Sequence, residues 1–112
     1  MIEMRQLVYL DAVYKHKNFT KASKELYVSQ PTVSAAIRVM EQELGMTLIE
    51  RTPKSVVFTP AGEVLMQRVH ALLSDYNDML TEANELSRKA SYTLRLGIAS
   101  ILSSDLFPLL YK

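Results

Sequence analysis

The sequence predicts a mainly α-helical fold: a winged helix-turn-helix of three helices and a two-stranded β wing, followed by a long helix. Residues 19–44 divide into two short helical segments around a tight turn, which is the layout of a helix-turn-helix. Residues 47–59 are rich in β-branched side chains around a turn at residues 52–54. After Glu63 no strong helix breaker occurs until about residue 90, which predicts the long helix.

The first two helices are predicted from the spacing of apolar residues. A helix over residues 4–17 has its apolar side chains at helical spacing, at Leu7, Leu10, Val13 and Tyr14. Asn18 can end that helix. Thr20 is the expected N-cap of a helix over residues 20–27, with Phe19 just outside it as a hydrophobic anchor.

The third helix is amphipathic. Ser29 is its expected N-cap, Pro31 lies in its first turn and Gly45 ends it. One side is apolar and consists of Val33, Ile37, Met40 and Leu44. The opposite side is small or polar and consists of Pro31, Thr32, Ser34, Ala35, Arg38 and Gln42. A helix with such a side can approach DNA closely, and the second helix of a helix-turn-helix can enter the major groove.

The segment after the third helix predicts a wing. Arg51 and Lys54 lie beside the turn between the two strands, so the tip of the hairpin is basic. A basic tip is placed to touch phosphate or to reach a minor groove. Thr59 is then the expected cap of the long helix, and Pro60 occupies its first position.

The long helix carries a heptad repeat that favours a partner helix. Its apolar positions follow strict 4, 3 intervals, at Leu65, Val69, Leu72, Tyr76, Met79, Ala83, Leu86 and Ala90. A second stripe consists of Met66, Leu73 and Leu80. A helix of roughly 31 residues is about 46 Å long, more than a small three-helix core can cover.

The heptad stripe could form a dimer seam or lie on its own domain. We expect the seam over residues 69–90, and core positions for Val64 and Leu65. The predicted dimerisation residues are Val69, Leu72, Leu73, Tyr76, Met79, Leu80, Ala83 and Leu86.

The last segment changes character. Over residues 92–99, Leu94, Leu96 and Ile98 alternate with small or charged residues, as in a strand. One strand and a following fragment cannot make a stable sheet. We therefore divide the chain into a winged helix-turn-helix at residues 1–59, a linker helix at 60–91, and the start of a truncated α/β domain at 92–112.

Composition excludes several classes of function. The chain has no cysteine, and its two histidines lack ligand-like spacing, so we expect no metal and no cofactor. No nucleophile–base pair or glycine-rich phosphate loop is visible, which argues against an enzyme. Without a signal peptide or a membrane-length apolar stretch, we expect a soluble cytoplasmic protein and no membrane.

Charge is unevenly distributed along the chain. The net charge is +1, but residues 1–59 hold eight Lys and Arg against six Asp and Glu. Residues 60–92 hold three against five. The basic excess therefore lies on the segment with the predicted helix-turn-helix, which permits binding to nucleic acid.

Over about residues 4–62 the chain resembles the LysR-type transcriptional regulators. The resemblance is carried by residues 19–34 with the element Ser29-Gln30-Pro31, by residues 37–51, and by the run from Phe58 to Gly62. It continues through the linker helix to Ser100. The combined pattern is specific to the family, whereas the Ser-Gln-Pro element alone is weaker evidence.

The resemblance implies a bacterial DNA-binding regulator that associates with the nucleoid through DNA and works as a homodimer. Linker helices of the family pair in antiparallel fashion, commonly within a tetramer of the full-length form. The resemblance also implies a C-terminal domain that senses a small effector, and Ser100 matches a position where family members often bind it. Family operators are typically AT-rich sites of imperfect two-fold symmetry.

The sequence departs from the family pattern at two positions. Ala35 stands where arginine is usual, and a methyl group there can contact thymine methyls, which shifts readout toward apolar and shape recognition. Ile49 stands where phenylalanine is common, a milder change at a core position.

The predicted DNA contacts come from three segments and comprise Thr20, Lys21, Ser29, Gln30, Pro31, Thr32, Ser34, Ala35, Arg38, Arg51 and Lys54. Gln30 is the candidate for a bidentate contact to adenine. Arg51 and Lys54 are expected on phosphate, and Thr20 is either a cap alone or a cap that also meets phosphate. The alternative function is a winged-helix module that binds protein and not DNA, which would require neither a basic wing tip nor a polar helix face.

Overall fold

A computed structural model describes residues 1–52 and 55–96, with side chains described to residue 90. Its elements, in chain order, are α1 (Met4–His16), α2 (Phe19–Leu26), α3 (Gln30–Leu44), β1 (Ile49–Arg51), β2 (Val56–Phe58) and α4 (Pro60–Leu96). Residues Met1–Ser74 form one compact unit, and a second unit begins at Asp75. The mainly helical fold with a two-stranded wing is as predicted.

The N-cap of α2 is Asn18 and not Thr20. The Asn18 side chain accepts a hydrogen bond of 2.8 Å from the backbone nitrogen of Lys21, and the helix begins at Phe19. The prediction was wrong because Asn18 was assigned to the end of α1. That helix ends one residue earlier, since Lys17 takes the left-handed conformation (φ 51°) and turns the chain. Phe19 thereby enters α2 and is buried.

The limits predicted for α3 are confirmed. The Ser29 hydroxyl accepts from the backbone nitrogen of Thr32 at 3.3 Å, and Pro31 lies in the first turn. Gly45 ends the helix with φ +69°, a conformation that glycine adopts without steric cost. The predicted apolar stripe faces the core, where Val33, Ile37 and Met40 are buried.

The hydrophobic core of the first unit draws on every element in it. It consists of Tyr9, Leu10, Ala12, Val13, Phe19, Ala22, Val33, Ile37, Met40, Leu48, Ile49, Phe58, Met66 and Val69. The three helices of the helix-turn-helix are therefore held in place by one continuous apolar cluster that also anchors the wing and the start of α4.

The wing is an antiparallel hairpin with Ile49 opposite Phe58, Glu50 opposite Val57 and Arg51 opposite Val56. Successive side chains of a strand point to opposite faces. Ile49 is buried, Glu50 is exposed and Arg51 is half-buried, so Ile49 and Arg51 share the inner face. Pro53 and Lys54 lie outside the described residues.

The carboxylate of Glu41 fastens the end of α3 to the start of the wing. Its Oε2 atom accepts hydrogen bonds from the backbone nitrogens of Leu48 (2.7 Å) and Ile49 (3.1 Å). Because the Glu41 side chain is only 15% exposed, these bonds lie largely out of water. One carboxylate thus fixes where the chain leaves α3 and enters β1.

Thr59 and Gly62 form the start of α4. As predicted, Thr59 caps the helix: its Oγ1 atom accepts from the backbone nitrogen of Gly62 (3.0 Å) and donates to the carbonyl of Thr47 (2.7 Å). A Cβ atom at Gly62 would overlap the carbonyl oxygen of Leu48 and lie 3.2 Å from the Phe58 ring. The helix can approach the wing this closely only with glycine at position 62.

The helix α4 runs through residues for which a strand was predicted. Residues 92–96 are helical, so that part of the prediction was wrong. A strand needs a hydrogen-bonded neighbour, whereas a helix satisfies its own backbone, and the next glycine comes only at Gly97. Residues 97–112, including Ser100, lie outside the described residues, and the domain boundary at residue 92 stays a prediction.

Within the first unit, α4 meets the core through Met66 and Val69, each 3% exposed. Val64 is 68% exposed, so its predicted core position was wrong, and the burial of Val69 corrects its assignment to the dimer seam. Met66, Val69 and half-buried Leu73 share one helical side, from which Val64 is turned away.

Among the described helices, none is both long enough and apolar enough to cross a membrane.

Replacing Gly62 by alanine should destabilise the first unit. In an ordinary helix alanine is favoured over glycine by about 1 kcal/mol. Here the added methyl group meets a backbone oxygen that cannot rotate away. We expect the free energy of unfolding to fall by roughly 1–3 kcal/mol, measured by urea denaturation. Ala61→Ser at the exposed neighbouring position is the control; a stabilised G62A protein would contradict the close approach.

Replacing Glu41 by alanine should leave two backbone N–H groups without their acceptor. We expect a loss of about 2–3 kcal/mol in the free energy of unfolding, because hydrogen bonds to a charged group are among the stronger ones. Glu50→Ala removes a carboxylate from the exposed face of β1 and should change little. If E41A and E50A lower the free energy of unfolding equally, the hydrogen bonds to Glu41 do not stabilise the fold more than an exposed carboxylate does.

Candidate nucleic-acid interface

The solvent-facing side of α3 holds most of the predicted contacts. Gln30, Pro31, Thr32, Ala35 and Arg38 are exposed, and Ser34 is half-buried. These side chains stand opposite the stripe that enters the core, and none of them belongs to the hydrophobic core. The side chains at its edges are polar, and the side chain of Ala35 is only a methyl group.

The hydroxyl groups at the start of α3 are bonded to one another. Ser29 Oγ and Thr32 Oγ1 lie 2.7 Å apart, and either atom can be the donor. Ser29 also caps the helix through its bond from the Thr32 nitrogen. Ser29 is therefore both a structural cap and an exposed polar group beside Gln30.

A groove of about 200 Å³ joins the start of α2, the start of α3 and the wing. It brings the predicted contacts Thr20 and Gln30 to one place. Six further residues line it, namely Lys17, Asn18, Phe19, Thr52, Ser55 and Val56. Lys17 and the wing residues of this groove were not predicted from the sequence, although the turn sequence around Thr52 indicates that these wing residues lie near the surface. Lys21 is exposed one residue beyond Thr20.

Arg51 does not point to the wing tip but back to α3. Its Nη1 atom donates to Ser34 Oγ at 2.6 Å, and its Nη2 atom donates to the Ser34 carbonyl at 3.4 Å. Its guanidinium lies 5.0 Å from the centre of the Phe19 ring. The side chain is 19% exposed, because its register in β1 places it on the same face as Ile49. The predicted phosphate contact of Arg51 remains a prediction.

Two arginines and one carboxylate set the charge of this surface. Burial lowers the pKa of Arg51, the nearby charge of Arg38 lowers it further, and Glu41 raises it in part. Nη2 of Arg51 lies 3.6 Å from Oε1 of Glu41. Because arginine keeps its proton in proteins, both guanidinium groups stay cationic and the surface beside Ser34 is positive.

Glu41 belongs to this surface and was not predicted from the sequence. Ser34, Arg38 and Glu41 follow one another at intervals of four and three, which places them along one side of α3. That spacing, together with an arginine at the second inward-facing position of the next strand, indicates that Glu41 and Arg51 can meet beside Ser34. Lys54, the last predicted contact, lies outside the described residues.

Comparison with known proteins gives the family. The sequence model of the bacterial regulatory helix-turn-helix proteins of the lysR family matches residues 4–63. The uncharacterised HTH-type transcriptional regulator YcgK of Bacillus subtilis (strain 168) is 32% identical over 111 residues, which are 99% of this chain and 34% of that protein. The DNA-binding transcriptional dual regulator OxyR of Escherichia coli (strain K12) is 35% identical over 107 residues, 96% of this chain and 35% of that protein.

A solved structure agrees with the sequence comparison. The BenM DNA-binding domain, in its complex with catB site 1 DNA, superposes with a TM-score of 0.73 and 36% sequence identity. The match covers 76% of this chain and 96% of that domain. The chain spans about a third of the length of the two regulators above. It belongs to the lysR family of bacterial regulatory helix-turn-helix proteins.

Proposed function

We propose that this chain is the DNA-reading part of a sequence-specific transcriptional regulator. The observation that carries the proposal is the solvent-facing side of α3, which lies outside the core, is mostly polar, and carries Arg38 with Arg51 of the wing beside it. A relative with 36% sequence identity over 76% of this chain was solved bound to DNA. In this proposal α3 enters the major groove and the wing meets the backbone or the minor groove.

The start of α3 is the part that reads bases. In helix-turn-helix proteins the N-terminal residues of the recognition helix contact base edges. Gln30 offers a donor and an acceptor to adenine, and Ala35 offers a methyl group to thymine. In this proposal Thr20 and Lys21, at the start of α2, contact phosphate, and the groove that Thr20 shares with Gln30 supports it.

We also propose a homodimer formed through α4. In the first unit Leu72 is 49% exposed. In the second unit Tyr76, Met79 and Leu80 are 40%, 54% and 42% exposed. A helix that shows apolar side chains to water at heptad spacing is stabilised by a partner helix. The seam begins at Leu72, because Val69 is buried in the core and Leu73 is half-buried against it.

The predicted seam residues Ala83 and Leu86 lie further along α4, where Ala83 is exposed and Leu86 is half-buried.

The remaining assignments concern a longer protein. A tetramer, and a small effector bound near Ser100, are proposed only for a form that carries the C-terminal domain. The antiparallel pairing of linker helices is likewise taken from the family and is part of the proposal.

Gln30→Ala should reduce sequence discrimination without unfolding the protein, because Gln30 is exposed. For one bidentate base contact we expect the free-energy difference between specific and random DNA to fall by roughly 1–3 kcal/mol. The measurement is competition binding at fixed salt with a site obtained by selection. Arg38→Ala should behave in the same way if Arg38 reads a base.

Gln67→Ala is the matched control, since Gln67 is an exposed glutamine on α4 that lines a different pocket with Asp11 and His70. Discrimination unchanged in Q30A would remove Gln30 from base reading. A wild-type chain that binds no DNA at low salt would favour a protein-binding module and overturn the proposal.

Leu72→Glu should separate the two copies of the chain, because it places a carboxylate among the apolar side chains of the seam. We expect a monomer by light scattering at concentrations where the wild type is a dimer. Ala71→Glu adds the same charge at the neighbouring exposed position and should leave the dimer intact. Dimers that persist in L72E would place the seam elsewhere.

A further inference from the structure

Arg51 and Ser34 form one unit across two elements. Within the described part of the chain, Arg51 donates two hydrogen bonds, and both end on Ser34, one on the hydroxyl (2.6 Å) and one on the carbonyl (3.4 Å). Ser34 lies on the reading side of α3, and Arg51 lies on the inner face of β1. The wing therefore fixes the position of one hydroxyl on the recognition helix.

The direction of the first bond is known from chemistry. An arginine side chain has only donors, so Ser34 Oγ must be the acceptor. One of its lone pairs is then occupied by a cation, which polarises the O–H bond. When one group both accepts and donates a hydrogen bond, the two bonds strengthen each other. The Ser34 hydroxyl therefore becomes a better donor and a poorer acceptor.

The other hydroxyls at the start of α3 have no such direction. Ser29 and Thr32 share one hydrogen bond of 2.7 Å in which either atom can donate. Each can therefore meet a donor or an acceptor on DNA by exchanging roles with its neighbour. Of these three hydroxyls, Ser34 is the one with its polarity set by a charged group.

Arg51 is itself held over Ser34. Its Nη2 atom lies 3.6 Å from Glu41 Oε1, and the ring of Phe19 lies 5.0 Å from the guanidinium carbon. With the side chain 19% exposed, water competes weakly for its donors. These contacts lie within the chain itself and together hold the guanidinium beside Ser34.

We infer that Arg51 is a positioning residue that makes Ser34 a hydrogen-bond donor toward DNA. The partner of Ser34 is then an acceptor: purine N7, guanine O6, thymine O4 or a phosphate oxygen. The amino groups of cytosine and adenine are disfavoured at that position. The inference rests on the proposed function, since it concerns how the same surface reads its site.

A double-mutant cycle tests the coupling. Ser34→Ala, Arg51→Met and the double variant are compared with wild type on a selected site, with every base pair varied in turn at fixed salt. We expect S34A to lower affinity about three- to tenfold, the range for one hydrogen bond. R51M should lose affinity at the same position, and the double variant should lose no more than the larger single loss.

The pattern of the S34A loss distinguishes the two sources of acceptor. A loss confined to one base-pair position identifies a base edge, and an equal loss on all sequences identifies phosphate. With coupling to Arg51, either result supports the inference. Losses that add in the double variant, or an R51M loss spread over all positions while S34A affects one, would overturn it.

Further variants separate positioning from folding. Arg51→Lys keeps a cationic donor and should recover part of the wild-type preference, whereas Arg51→Gln can accept as well as donate and should not. Equal preferences in wild type, R51K and R51Q would overturn the inference even if R51M fails to fold. Arg5→Met, which removes an exposed arginine paired with Glu3, is the control.

The outcome for the wild type separates this inference from the proposed function. If the wild-type chain does not discriminate between sequences, the proposed function fails. If it discriminates and the cycle is additive, only the role of Arg51 fails.

Discussion

The carboxylate of Glu41 is the constraint on which the reading surface depends. It accepts two backbone hydrogen bonds at the start of β1 and lies 3.6 Å from Arg51. The first two bonds fix where the wing leaves α3. The pairing with Arg51 helps to hold a guanidinium over Ser34. A largely buried charge is costly unless it is paired and hydrogen-bonded. Among the described residues, the partners of this carboxylate are the start of β1 and Arg51, which connect the recognition helix to the wing.

A small number of contacts also fixes the start of α4. Thr59 caps that helix and bonds to Thr47, and the absence of a side chain at Gly62 lets the helix approach Leu48. The two ends of the hairpin are thus fixed by different means, Glu41 before β1 and Thr59 with Gly62 after β2. A wing fixed at both ends holds its inner-face side chains against α3, which is why Arg51 can act on Ser34 at all.

Much of this could be predicted from the sequence, because the deciding interactions are local. Ser29, Gly45 and Thr59 act at helix ends through neighbours a few residues away, and the apolar stripe of α3 follows from periodicity alone. The remainder depends on contacts between distant parts of the chain. The position of Arg51 in the sequence predicts a wing-tip residue, whereas the strand register places it on the inner face. Val64 and Val69 differ in burial because the side of α4 that meets the core runs through Met66, Val69 and Leu73, and Val64 is turned away from it.

Selection of bound DNA from a random pool, at fixed salt and with the chain as it stands, tests the central claim most directly. If α3 reads bases and two copies act together, the selected sequences should converge on two inverted half-sites about one helical turn, roughly 34–36 Å, apart. Each half-site should hold at least one A·T pair that Gln30 can read. A bound pool without any enriched sequence, or no bound DNA at all, would contradict the account.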